Sequence, residues 1–296
     1  MKEIETSKPS LSDWATLLFL SLIWGSSFIL MKKGLVAFSP TQVATMRVFF
    51  TMIAMSPFIA MAFKHIRRKD LLPVAIVALM GNGIPPFLFT AAQVKLSSAA
   101  AGILNSLTPI FVFLFGVLFF KMTFKLNRLL GVGLGFVGAV SLILFAAPQS
   151  LTGESEYIYG LYIVGASLCY SISANTVKSY CQNIHPIALN MGVFLIVGPF
   201  AGLYLFSTDF LQVLQTHPEA WSSFGYIIIL AIFGTAIATI LFFKLTQKTD
   251  ALFSSTVTYL IPIFALFWGF LDGEMIGWSY LVGLTCILSG VYLAGK

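Results

Sequence analysis

Amides and hydroxyls inside a long apolar run are the residues with chemistry to offer in this chain. Asn105, Ser106 and Thr108 sit within SSAAAGILNSLTPIFVFLFGVLFF, residues 97–120. At 1.5 Å per residue that run is long enough to cross a bilayer. Hydrocarbon cannot hydrogen-bond these groups, so their face must look at protein or at a watery cavity. Pro109 follows, with no N–H to bond back to the carbonyl of Asn105. The design returns in ALFSSTVTYLIPIFALFWGF, residues 251–270, where Thr258 and Tyr259 precede Pro262. Other apolar stretches add Trp24, Ser26 and Ser27; Asn82 ahead of Pro85 and Pro86; Tyr170, Ser173 and Asn175; and Thr235. The chemistry such groups support is reversible binding of a polar solute. Asn82, Asn105 and Asn175 weigh most, because an amide carries more donors and acceptors than a hydroxyl. Trp24 and Tyr170, placed mid-span, could stack on a ligand. The plain alternative is that each polar group bonds to a neighbouring helix, a contact worth about 0.6 kcal/mol. Pro109 and Pro262 are the candidate hinges, and Asn105 and Thr258 are expected to face each other near mid-membrane.

Charged and nucleophilic residues say less. Arg47 is the one charge well inside a span, where a charge is costly and marks function, unless it snorkels to headgroups or binds backbone carbonyls. Asp13, Asp70, Asp250, Asp272 and Glu274 all fall at span ends, so no acid or His stands ready at mid-membrane to carry a proton. Facilitated diffusion, exchange, or coupling through an end-placed acid such as Asp13 stay open. His65 and Asp70 have the H-x-x-x-x-D spacing that can set a base beside a carboxylate for acyl transfer. No nucleophile or glycine loop accompanies them, and a basic loop explains His65-Ile66-Arg67-Arg68-Lys69-Asp70 entirely. Cys169, Cys181 and Cys286 show no C-x-x-C spacing and read as small buried hydrophobes. No cofactor, metal or nucleic acid is expected.

The elements that position these residues follow from composition. Of 296 residues, 58% are hydrophobic and only 9% charged, with mean hydropathy +0.93; a soluble domain is about 25% charged. No period-2 alternation points to a barrel. The reading is an all-α membrane protein with ten transmembrane helices near 13–33, 40–63, 71–93, 98–120, 124–146, 158–180, 187–207, 222–244, 250–272 and 276–295. Met31-Lys32-Lys33 follows the first span where a signal peptide would have small residues, so it is expected as a retained helix. Gly131-Val132-Gly133-Leu134-Gly135 in the fifth span is a close-packing G-x-x-x-G face, with either the tenth span or another protomer as its partner. Basic residues orient the set. Lys64, Arg67, Arg68, Lys69, Lys121, Lys125, Arg128, Lys178, Lys244 and Lys248 share a side with both termini, whereas the opposite side holds only Lys32, Lys33 and Lys95. Both termini are therefore expected in the cytoplasm, and the net charge of +6 reads as orientation and contact with anionic lipid.

The halves echo each other. Pro109-Ile110-Phe111 aligns with Pro262-Ile263-Phe264, Ser39-Pro40 with His185-Pro186, and Gly131 and Gly138 with Gly283 and Gly290. Five spans per half, an odd number, make the halves insert with opposite topology as inverted repeats around a central cavity. The predicted units are 12–146 and 158–295, joined through the loop that holds Glu154. The Ile23–Phe28 stretch IWGSSF, the LTP at Leu107–Pro109 and its partner SSTVTYLIPIF resemble the drug/metabolite transporter superfamily, with the EamA family as the nearest group. The resemblance covers nearly the whole chain. It implies a cavity lined by spans one, three, four, six, eight and nine, and a structural or gating role for Arg47. It also implies alternating-access export of small polar or amphipathic metabolites, amino acids or their relatives, across a bacterial cytoplasmic membrane by a monomer or weak homodimer. The rival is a membrane protein that transports nothing, either an enzyme using the His65–Asp70 loop or a packing partner for other helices.

The orientation is testable. After replacement of the three native cysteines, Arg68→Cys should react with a membrane-impermeant thiol reagent only from the cytoplasmic side. Labelling from outside would overturn both the orientation and the inverted repeat.

Overall fold

The computed structural model describes residues 9–96, 98–146, 156–271 and 279–294. The loop with Glu154 and the segment with Asp272 and Glu274 lie outside the described residues. Among those described, all regular structure is helical. The helices are α1 (Leu11–Gly34), α2 (Pro40–His65), α3 (Arg68–Gln93), α4 (Ser98–Asn105), α5 (Thr108–Phe119), α6 (Leu126–Ala146) and α7 (Glu156–Tyr180). They continue with α8 (Pro186–Ser207), α9 (Phe210–Thr216), α10 (Ala220–Lys248), α11 (Ala251–Ser255), α12 (Val257–Leu271) and α13 (Ser279–Ala294). Five of these, α1, α2, α3, α8 and α10, are long and apolar enough to cross a membrane. Helices α6 and α7 are of comparable length, 21 and 25 residues, and the remaining apolar helices are shorter.

Two expected spans are divided. The run at 98–120 breaks at Ser106 and Leu107, and the run at 250–272 breaks at Thr256. Three more keep their length but change winding, α2 through a 3-10 turn at Ser56–Phe58. Helix α3 carries a π turn at Ala78–Gly83, and α10 carries one at Leu230–Ile237. Starts follow local rules: Ser39 Oγ accepts from Gln42 N while Gln42 Oε1 accepts from Ser39 N, a reciprocal cap ahead of Pro40.

Packing interlocks the two ends of the sequence. Helix α1 lies against α10 and α12; α7 lies against α3, α4 and α5; α2 packs on α8; and α6 on α13. The last pair touches backbone to backbone. A Cβ on Gly290 would fall 2.6 Å from Gly135 Cα and 2.7 Å from the Gly131 carbonyl oxygen. This answers which surface the G-x-x-x-G face meets. It meets α13, and close approach between small residues substitutes for the hydrophobic drive that lipid withholds.

At one end of the bundle, polar groups fasten these elements. Arg128 and Asp250 form an ion pair at 2.9 Å with both side chains nearly buried. Lys178 Nζ donates to the carbonyls of Gln247, at 3.1 Å, and Thr249. Gln247 Nε2 donates to Cys181 O and Ile184 O at 2.7 and 2.9 Å. Lys248 meets Asp13 at 2.8 Å. At the other end Gln42 Nε2 donates to Asp209 Oδ1 at 2.8 Å, and Ser223 Oγ to Lys33 O at 2.8 Å.

Gly290→Leu should force α6 and α13 apart, at a cost of at least 1–3 kcal/mol. Gly133→Leu, where an added Cβ meets nothing within 4 Å, should not. Thermal unfolding of the two purified variants in detergent checks the pair; equal melting would refute the contact.

Candidate functional site

The two helix breaks and the π turn of α3 meet at one interior cavity, and the π turn of α10 holds two of its lining residues, Trp24 and Arg47. The cavity offers about 110 Å³ to the centres of water-sized spheres, well beyond the roughly 10–15 Å³ that one water needs. Helix α1 supplies Trp24, Ser27, Phe28 and Met31, one face at helical spacing; α2 supplies Arg47; α3 supplies Gly81, Asn82 and Phe89. Asn105 and Thr108 flank the first break, Ser255, Val257 and Thr258 the second, with Ile261 a turn further on. Tyr170, Ser173 and Ala174 come from α7, and Thr239, Phe242 and Phe243 from α10.

Local winding explains why these side chains gather. In α3 the π turn closes Ile84 N onto Leu79 O at 2.8 Å, an i−5 bond, and this added residue brings Gly81 and Asn82 onto the inner face. In α10 the second π turn sets the Gly234 carbonyl to accept from Trp24 Nε1 at 3.0 Å. That bond fixes the indole, whose ring lies 5.4 Å from that of Phe242. Phe28, Phe89 and Tyr170 continue the aromatic wall, with centroids 6.1 and 5.9 Å apart in turn.

Of the residues expected to bind a solute, Trp24, Ser27, Asn82, Asn105, Thr108, Tyr170 and Thr258 line the cavity. Asn82, though buried, makes no hydrogen bond within the described protein. Asn105 Oδ1 accepts from Thr108 Oγ1 at 3.2 Å, and its amide hydrogens keep no protein acceptor among the described residues. Asn175, Thr235 and Tyr259 do not line it. Asn175 Nδ2 donates to Val112 O and Ser171 O, both at 3.0 Å, tying α7 to α5. Tyr259 OH donates to Val132 O at 2.8 Å. Thr235 Oγ1 accepts from Arg47 Nε at 2.7 Å and donates to Leu230 O at 3.1 Å. Sequence reasoning passed over Phe28, Phe89, Phe242 and Thr239; Phe28 was within reach, one helical turn from Trp24.

The two proline sites differ. Pro109 opens α5 just after the break, whereas Pro262 lies inside α12 and the nearby break is at Thr256. Thr258 O, released by Pro262, accepts from Ser106 Oγ at 3.4 Å. A hydroxyl of the first break thus partly covers the carbonyl of the second. His65 and Asp70 do not meet: His65 Nδ1 lies 2.9 Å from Met61 O, and Asp70 Oδ2 accepts from Arg67 N at 3.0 Å.

Among the described residues the lining contains no Asp, Glu, His, Cys or Lys, and Arg47 is its one charge. Among the described residues the ion pairs are Arg128–Asp250 and Lys248–Asp13, and Arg47 joins neither. With an aromatic wall, two amides and several hydroxyls, the cavity has the mixed apolar and polar lining that suits a small solute.

The EamA-like transporter family model matches residues 13–144 and again residues 158–295. An "Uncharacterized transporter" of Archaeoglobus fulgidus is 25% identical over 287 residues, covering 96% of this chain and 98% of that protein. The "S-adenosylmethionine/S-adenosylhomocysteine transporter" of Chlamydia trachomatis serovar L2 is 22% identical over 285 residues, covering 94% and 86%. The "Uncharacterized inner membrane transporter YedA" of Escherichia coli K12 is 24% identical over 287 residues, covering 95% and 89%. A solved crystal structure superposes with a TM-score of 0.71 at 16% identity, over 96% of both chains, which shows a shared fold.

Replacement separates cavity groups from packing groups. Asn175→Leu and Tyr259→Phe should each lower stability by about 1–2 kcal/mol and leave solute affinity alone. Asn82→Ala should weaken solute binding with melting nearly unchanged. Thermal unfolding and binding measured on the same preparations decide between the two patterns.

Proposed function

This chain belongs to the EamA-like transporter family, and we propose that it is a secondary transporter of small polar or amphipathic metabolites such as amino acids, working by alternating access. The observation that carries this reading is the cavity itself, lined from both matched segments and containing polar groups at membrane depth. In this reading the chain crosses the membrane ten times as two inverted five-helix repeats, 12–146 and 158–295, with both termini in the cytoplasm. The packing supports the repeat. Helix α1 lies on α10 and α12 as α7 lies on α3, α4 and α5, and both π turns fall at matching places. Outward movement of metabolites from a bacterial cytoplasm completes the proposal, with a monomer or weak homodimer in the bilayer.

The moving parts are the helix breaks. Rocking of one half against the other needs places where backbone torsions change without tearing a hydrogen-bond ladder, and interrupted helices near mid-membrane provide them. Pro109 keeps the first break open, since its missing N–H cannot re-form the bond to Asn105 O. Pro262 does the same less freely, because Ser106 Oγ already engages Thr258 O. The ion pairs and carbonyl contacts around Arg128, Lys178, Gln247 and Asp250 close one end of the bundle, and in this reading they open and re-form once per cycle.

Reconstituted into vesicles, the purified protein should move at least one compound from a broad metabolite screen. Pro109→Ala should slow that flux several-fold more than it weakens binding, and Pro262→Ala should have a smaller effect. Parallel flux and affinity measurements test both, and equal, unimpaired turnover in both variants would dismiss the hinge.

A further inference from the structure

We infer that Arg47 is the recognition site for a solute's carboxylate, and that the cavity selects amphipathic monoanions with an apolar body. The inference rests on the transporter reading for its setting and on Arg47's surroundings for its content. The guanidinium stays protonated at any physiological pH. It lines the cavity, and it has no carboxylate partner among the described residues. Its Nε is held by Thr235 Oγ1 at 2.7 Å. That hydroxyl spends its own proton on Leu230 O, across the π turn, at 3.1 Å. Thr235 therefore accepts from Arg47 in a fixed direction and acts as a positioning residue. Both terminal nitrogens make no hydrogen bond within the described protein, and neither is sealed away from open space.

A fork with its stem fixed and both prongs unused is suited to bidentate capture of a planar two-oxygen anion. The count of charges narrows the class. A single cation matches one negative charge; a phosphate dianion would leave excess charge in an apolar enclosure, and among the described residues no Lys or second Arg lines the cavity to offset it. Solutes that are only cationic meet no acid among the described lining residues and are repelled by Arg47. Phe28, Phe89, Tyr170, Trp24 and Phe242 offer the remaining surface to an aliphatic or aromatic body. The amides of Asn82 and Asn105 can bond a further uncharged polar group such as a hydroxyl or carbonyl. A purely structural Arg47 would leave its terminal nitrogens spent on carbonyls, as the Nζ of Lys178 is.

The test compares acids with their uncharged amides on the full-length protein in detergent. The probes are 3-phenylpropionate and 4-methylvalerate, each beside its carboxamide, with affinity read from the rise in unfolding temperature against concentration. We expect at least one acid to bind tenfold or more tightly than its amide. Arg47→Gln should erase that preference, Arg47→Lys should keep part of it, and Thr235→Val should weaken the acids alone, with rescue by Thr235→Ser. Binding of none of the acids, equal binding of acids and amides, or an intact preference in Arg47→Gln overturns the proposal. If Arg47→Gln does not fold, the wild-type comparison and the Thr235 variants still decide it. Acid preference without flux in vesicles would sink the transporter reading alone, and flux without acid preference would sink this inference alone.

Discussion

Inside hydrocarbon no water repairs an unpaired backbone group, and most of this structure answers to that rule. A helix can be interrupted only where protein or a wet cavity receives the freed N–H and C=O groups. The interruptions at 106–107 and at Thr256 and the π turn at Ala78–Gly83 adjoin the same interior space, and the π turn at Leu230–Ile237 bonds to its lining residues Trp24 and Arg47. Two of the released groups have side-chain receivers. Trp24 takes Gly234 O, and Ser106 takes Thr258 O. The cavity is thus less a hole left between helices than the place where irregular backbone is permitted.

The same rule governs what holds the helices together. Apolar side chains gain little by leaving lipid for a neighbouring helix, so contact depends on closeness and on polar bonds. Gly131, Gly135 and Gly290 supply closeness between α6 and α13. Asn190 Nδ2 on Ala236 O at 3.0 Å, Thr51 Oγ1 on Ala231 O at 3.0 Å and Asn175 on Val112 supply polar bonds across helices. Two of these three land in the π turn of α10, where displaced carbonyls are available outside the ordinary ladder. Irregular winding therefore serves packing as well as the cavity.

The sequence made the class legible because so few residues are charged, and it made much of the cavity legible because polar groups are so scarce at depth. Asn82, Asn105 and Thr108 stand out against an apolar background for that reason. What it could not show was which of several similar amides finds a protein partner. Asn175 looks like Asn105 on paper, yet a carbonyl of α5 lies within its reach. The second break was read at the proline and lies elsewhere. Ser255, Thr256 and Thr258 each bond back to a carbonyl three residues earlier, at 2.8, 2.6 and 3.0 Å. These local bonds compete with the helix ladder and turn the chain without a proline. Arg128 and Lys178 were counted as charges that orient loops; the fold draws both inward to Asp250 and to helix-end carbonyls. Phe28 and Phe89 were hidden by abundance, since 29 phenylalanines give no contrast.

Arg47 has an electrical consequence. A cavity whose described lining holds one cation and no acid is positive when empty and neutral when it carries a monoanion. Displacing a full elementary charge through a membrane potential is worth about 2.3 kcal/mol per 100 mV. In an alternating cavity the voltage would therefore act on the unloaded return, while the loaded passage would proceed almost free of the field. Energised cells would then set the pace of resetting, not of carrying.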